Sequence, residues 1–166
     1  MEYRYSDGLG FISKNFEYFF YCSVAFFVPF IIGDGQYLTG TIVNAAIIVT
    51  AMKFGDSRML PIIMLPSLGV LSRGLIFGPF TYLLVFMIPF IWVGNGILAY
   101  VARKFKKHYW LAVGSGAVTK SLFLFLIAAG LQSAGILPAL FLNKMGMLQL
   151  LTALAGGVVA FFAIRR

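Results

Sequence analysis

Apolar residues fill this chain in long blocks separated by short polar, glycine-bearing or proline-bearing interruptions, and the spacing of those interruptions predicts six helices. Residues 1–15 are polar and aromatic and read as an interfacial segment. A helix follows over residues 16–32, crowded with Tyr18, Phe19, Phe20, Tyr21, Phe26, Phe27 and Phe30, a composition suited to lipid or its interface. The turn Gly33-Asp34-Gly35 ends it. In the second helix, residues 37–54, the positions Gln36, Gly40, Asn44, Ile48 and Ala51 recur at steps of four and three, which lays a small and polar stripe down one face. That stripe belongs inside a bundle.

The third apolar block, residues 59–72, contains Pro61, Pro66 and Gly69. Its length as a helix is only about 21 Å, against a hydrocarbon core of about 30 Å, so the span is expected to be short or broken, or else kinked at proline. The fourth helix, 80–101, carries Pro89, Trp92, Gly94 and Asn95, with Asn95 suited to an interhelical hydrogen bond. The tract Arg103-Lys104-Phe105-Lys106-Lys107-His108 closes it and reads first as a topology anchor, with anionic lipid as its other reading. An apolar connection over 132–143 leads past Lys144 to a sixth helix, 146–164, on which Gln149, Thr152 and Gly156 share a face.

The fifth helix organises the rest. Residues 111–131 are uncharged except for Lys120, within GSGAVTKSLFLFLIAAG. An ammonium at the bilayer centre costs about 2.5–3.5 kcal/mol on insertion scales, so it must face a partner, a carbonyl or a wet cavity. Gly114, Gly116 and Ala117 allow a neighbouring helix to approach closely on that side. Two roles stay open for Lys120: a substrate or counter-ion contact, and a structural clamp to carbonyls or to Asn44 or Asn95.

Composition fixes the class. The chain is 61% hydrophobic with a mean hydropathy of +0.94, and its 11% charge is far below the soluble norm of about 25%. An all-α integral membrane protein follows, six transmembrane helices in one compact bundle, with residues 1–166 forming a single transmembrane domain. The net charge of +8 does not point to nucleic acid, because the basic residues lie in short tracts between apolar runs. With the N-terminus inside and six spans, the cytoplasm receives ten of them: Arg4, Lys14, Lys53, Arg58, Arg103, Lys104, Lys106, Lys107, Arg165 and Arg166. The outside receives only Arg73 and Lys144. The positive-inside rule therefore places both termini in the cytoplasm and the protein in the cell membrane.

Chemistry is sparse. One cysteine, Cys22, and one histidine, His108, leave no disulfide, no cysteine-ligated cluster and no histidine metal site, and no cofactor is expected. Apart from Glu17 at the very start of the first helix no Asp or Glu falls inside a span, and no nucleophile can be placed beside Lys120, so the chain is not expected to be an enzyme. In the six-span orientation Gln36, Thr39, Lys144, Gln149 and Thr152 lie towards the outer side, with Asn44 and Lys120 deeper, and they are the candidate lining of one outward-opening pocket. Lys120, Arg73 and Lys144 favour a ligand with a carboxylate or phosphate over a free metal cation.

The glycine-rich first outer loop leading into QYLTGTIVNAA, the short third block with PSLGVLSRG, then PFIWVGN and a final QLLTALAGG together resemble the substrate-binding (S) component of an energy-coupling factor transporter. The likeness runs from about Phe16 to the end as a pattern of spans and loops. It implies uptake of a small molecule, a vitamin, its precursor or a metal ion, from an outward pocket. It also implies a transmembrane coupling subunit and two ATPase subunits as partners. Carried over, ligand contacts fall on Gln36, Thr39, Lys120, Lys144 and Gln149. The chain departs from the family on its first helix, where YFFYCSVAFF replaces the small-residue alanine motif used for docking. The alternative is a structural or accessory subunit of a membrane complex with no ligand of its own.

Overall fold

The computed structural model describes residues 3–32, 35–77 and 81–165, with side chains for 13–32, 35–55, 57–73 and 82–165. Every regular element among them is helical. Helix α1 is Tyr3–Ile32 and α2 is Gln36–Lys53; a 3-10 turn, Asp56–Arg58, leads into α3, Met59–Phe77. The short α4, Thr81–Leu84, and a 3-10 turn, Val85–Met87, precede α5, Ile88–Lys104. Then come α6, Tyr109–Ser133, the short α7, Leu140–Met145, and α8, Met147–Arg165. Four stretches are long and apolar enough to cross a membrane: Ser13–Ile32, Tyr82–Lys104, Tyr109–Ser133 and Leu140–Arg165. Met59–Arg73 is a shorter apolar helix.

Two expectations change. Helix α1 already runs from Tyr3, through the segment read as interfacial. The discontinuity expected in the third block lies in the fourth. Pro61 sits in the first turn of α3, where its missing N–H is not needed, and Pro66 is carried inside a continuous helix of 19 residues, about 28 Å long. Pro89 has the stronger effect because it occupies the first turn of α5. It cannot donate to a preceding turn, and the backbone ahead of it tightens into the Val85–Met87 3-10 turn, closed by Ile88 N–H on Val85 O.

Direction follows from side-chain pairings. Lys53 at the end of α2 meets Glu17 of α1 at 2.6 Å, and the Tyr18 hydroxyl donates to Arg58 O at 3.1 Å, so α1 and α2 are antiparallel. Arg73 Nη1 reaches Ile31 O at 3.4 Å, so α3 returns parallel to α1. Gly69 lets them touch: a Cβ there would overlap Phe26 O. Helices α2 and α8 are parallel, with Gly40 against Thr152 and Gly156 against Asn44. A Cβ on Gly156 would lie 2.8 Å from Thr41 O and 2.8 Å from Asn44 Cβ, so only glycine permits this backbone spacing. Helix α6 runs against α8, its Tyr109 hydroxyl donating to Gly157 O at 2.6 Å, and against α5, where Gly94 meets Leu124 and Gly116 meets Leu98.

The stems thus close a ring in the order α1, α3, α5, α6, α8, α2, with α2 also packed against α5 through the middle. Helix α2 is the most enclosed, buried continuously from Val43 to Ala51, so its Asn44 and Thr50 are covered by neighbouring helices. Residues 14–18, 53–58, 103–110 and 161–165 gather at one end of the bundle, carrying Lys14, Lys53, Arg58, Arg103, Lys104, Lys106, Lys107 and Arg165. Residues 35–36, 73 and 133–147 gather at the other, with Arg73 and Lys144. There α6 ends in a Schellman motif: Gly135, at φ +74°, donates to Gln132 O, and Ile136 N–H reaches back to Leu131 O.

Candidate functional site

The polar residues of four helices meet at mid-bundle. Asn44 lies halfway along α2, Asn95 on α5, Lys120 on α6 and Thr152 on α8, and none is more than 2% exposed. Small residues bring these helices close enough: Gly40 and Gly156 between α2 and α8, Gly94 and Gly116 between α5 and α6.

Lys120 Nζ donates to Asn44 Oδ1 at 2.6 Å and to Asn95 Oδ1 at 2.8 Å. Those acceptors fix both amides, whose NH2 groups point outward to other helices. Asn44 Nδ2 donates to Thr152 Oγ1 at 3.2 Å, and that hydroxyl donates in turn to Gln149 O at 3.2 Å. Asn95 Nδ2 donates to Ile63 O on α3 at 3.0 Å. One ammonium therefore ties five helices together, directly or through one amide. On α3 Asn95 reaches a carbonyl one turn ahead of Pro66, whose missing N–H leaves the neighbouring Ile62 O, not Ile63 O, without its helical donor.

An ammonium has three N–H donors, and two are occupied here. Both acceptors are neutral amides. The acidic residues are Glu2, Asp7, Glu17, Asp34 and Asp56, and among the described residues the one ion pair joins Lys53 and Glu17 at the bundle end. Among the described residues Lys120 thus has two amide acceptors and no carboxylate partner. A buried cation held this way can receive an anion, or serve as a polar rivet between helices. The neighbouring Ser121 hydroxyl is turned away, donating to Val118 O at 3.0 Å.

Of the six candidate ligand contacts, Asn44 and Lys120 are joined directly. Gln36, Thr39, Lys144 and Gln149 are half-buried and stand nearer the end that carries Arg73. Their side chains make no hydrogen bond to the Lys120 cluster among the described residues; Gln149 enters it through its carbonyl. Thr39 Oγ1 is buried without a hydrogen-bond partner among the described residues. Asn95 joins the cluster as the interhelical contact expected of it, and Thr152, expected nearer the outer side, belongs to it as well. The Ile63 carbonyl has no side-chain letter to announce it.

Comparison of the chain with models of known protein families, with curated proteins and with solved structures returns no match in any of the three.

Proposed function

We propose that the chain is a six-span cell-membrane protein, with both termini cytoplasmic, that binds a small anionic molecule for uptake in the manner of an energy-coupling factor S component. The observation that carries this reading is Lys120: a cation 2% exposed, with two N–H groups on amide oxygens and, among the described residues, no carboxylate beside it. Buried charges are ordinarily paired, and intramembrane ionisable residues are functional by default. A ligand carboxylate or phosphate on the third N–H supplies the missing charge. Asn44, which accepts from Lys120, and Thr152, which accepts from Asn44, are the polar side chains that would share such a ligand. Gln36, Thr39, Gln149 and Lys144 lie towards the end taken as outward, where they line the approach. A transmembrane coupling subunit and two ATPases are the partners this reading requires. The eight basic residues gathered at the opposite end support its cytoplasmic placement.

A second reading has its own observation. Asn44, Asn95, Thr152 and Ile63 O form a mutually bonded set, as a purely structural clamp in an accessory subunit requires. Melting the purified protein against a panel of vitamins, carboxylates and phosphates separates the two. A ligand at a hundred times its Kd stabilises by about 2.7 kcal/mol, a readily measured rise in Tm. Absence of any rise across the panel, with an unrelated complex recovered from native membranes, favours the accessory subunit.

A further inference from the structure

The turn between α5 and α6 has a different chemistry from the bundle centre. It lies between two stretches long enough to cross a membrane, Tyr82–Lys104 and Tyr109–Ser133, and so belongs at an interface. Lys104, Phe105, Lys106, Lys107 and His108 are all exposed. Large rings flank them: Tyr100 is 63%, Phe105 42% and Trp110 55% exposed. Lys104 Nζ lies 5.4 Å from the Tyr100 ring centre and 5.9 Å from that of Phe105. On the other flank the Arg165 guanidinium sits 3.9 Å over Phe161, whose ring lies 5.0 Å from Trp110. Three lysines and an arginine therefore surround an aromatic ledge.

Nothing acidic in this half of the chain answers them. All five Asp and Glu residues fall at or before Asp56, and residues 57–166 contain none. Among the described residues none of Lys104, Lys106 and Lys107 has an acidic partner, and Glu17, at the same end of the bundle, is taken by Lys53 at 2.6 Å. Aromatic rings at headgroup depth with such lysines among them match a phosphodiester headgroup above acyl chains.

We propose that this turn, with Lys104, Lys106, Lys107, Arg165 and the Trp110 ring, is a binding site for anionic phospholipid. Such a site retains a lipid at the α5–α6–α8 corner in preference to the neutral lipid around it. Each basic residue near an anionic surface contributes about fivefold in affinity, so the three lysines together are worth up to about a hundredfold at low salt.

The test uses the full chain in phosphatidylcholine bilayers containing either brominated phosphatidylglycerol or brominated phosphatidylcholine. The chain has two tryptophans, so Trp92→Phe leaves Trp110 as the reporter. Trp110 is expected to be quenched at several-fold lower mole fraction of the brominated anionic lipid than of the neutral one. Lys104→Gln with Lys106→Gln and Lys107→Gln, or molar salt, should bring the two lipids level, while Arg73→Gln at the far end should leave the preference intact. Native mass spectrometry of the unsubstituted protein and the triple variant, counting phosphatidylglycerol against phosphatidylcholine adducts, gives the same comparison without touching Trp92. Equal quenching by both lipids in the parent overturns the proposal and leaves the turn to a protein partner. A preference that survives the triple substitution, or one that Arg73→Gln removes equally well, also overturns it.

Discussion

Asn95→Leu should be costly in the native chain and cheap once Lys120 is gone. The substitution removes two bonds at once, the acceptance from Lys120 Nζ at 2.8 Å and the donation to Ile63 O at 3.0 Å. Interhelical polar bonds in membrane proteins average about 0.6 kcal/mol and reach about 1.7, whereas bonds to a charged group are worth about 1.5–3 kcal/mol in general. The Ile63 bond belongs at the low value and the Lys120 bond near the top of the membrane range, so the single substitution should cost about 2 kcal/mol. In a Lys120→Met background only the Ile63 bond remains to be lost, about 0.6 kcal/mol. The difference, a coupling of about 1–2 kcal/mol, is independent of what it costs to bury the ammonium, because that term is common to both arms of the cycle.

Reversible unfolding of the four proteins in mixed micelles measures the coupling. Lys120→Met alone should be near neutral in the unliganded protein: two lost bonds, about 3 kcal/mol together at the value taken above, are offset by relief from the desolvation cost of a buried cation, several kcal/mol. Adding Asn44→Leu and Asn95→Leu to Lys120→Met removes all three of these polar side chains, leaves Thr152 bonded to Gln149 O, and should recover most of what either leucine costs alone. Coupling below about 0.3 kcal/mol, the level at which distant sites simply add, would refute the bond network as a source of stability. The same Lys120→Met protein should lose any ligand-dependent rise in Tm; unchanged affinity would remove Lys120 from the binding site.

Three further outcomes follow from the packing. Gly156→Ala should destabilise by about 1–3 kcal/mol through overpacking against Thr41 O and Asn44, whereas Gly114→Ala, with nothing within 4 Å, should be neutral in the same melt. Tyr109→Phe deletes the 2.6 Å bond to Gly157 O and should lower unfolding free energy by about 1 kcal/mol; an unchanged Tm would show that bond to contribute nothing. In a Cys22→Ala background, single cysteines at Gln36 and Lys144 should be labelled from outside and those at Lys106 and Arg165 only from the cytoplasm, and outside labelling at Lys106 would exclude the six-span orientation.

Much of the helical order could be read from the letters, because apolar blocks and their interruptions are local. The stems near 37–54 and 146–164 appear within a residue of their expected ends, whereas α1 ends at Ile32 as expected but begins well before residue 16, at Tyr3. Lys120 was legible for a different reason: a cation in an uncharged run must find oxygens, and Asn44 and Asn95 were the amides at comparable depth. Proline was ambiguous, since its effect depends on where the helix starts. Pro61 and Pro66 ride within α3, while Pro89 opens α5 and leaves the preceding turn as 3-10. The parallel pairing of α2 with α8 was not legible, because Gly156 shows only that some backbone comes close.

That pairing decides how large a ligand the candidate residues can share. Gln36 precedes Asn44 by two helical turns, about 12 Å along α2, and Lys120 is bonded to Asn44. A phosphate or a short carboxylate on Lys120 therefore reaches Asn44 and Thr152 but not Gln36. A molecule that touches both must be elongated, with its anionic end inward and its other end among Gln36, Thr39 and Gln149. The two cases separate by substitution: Gln36→Ala should leave the affinity for a compact anion unchanged while lowering that for an elongated one several-fold, consistent with one lost polar contact of about 1 kcal/mol. Equal loss for both would mean that Gln36 acts on the site through α2 and does not touch the ligand.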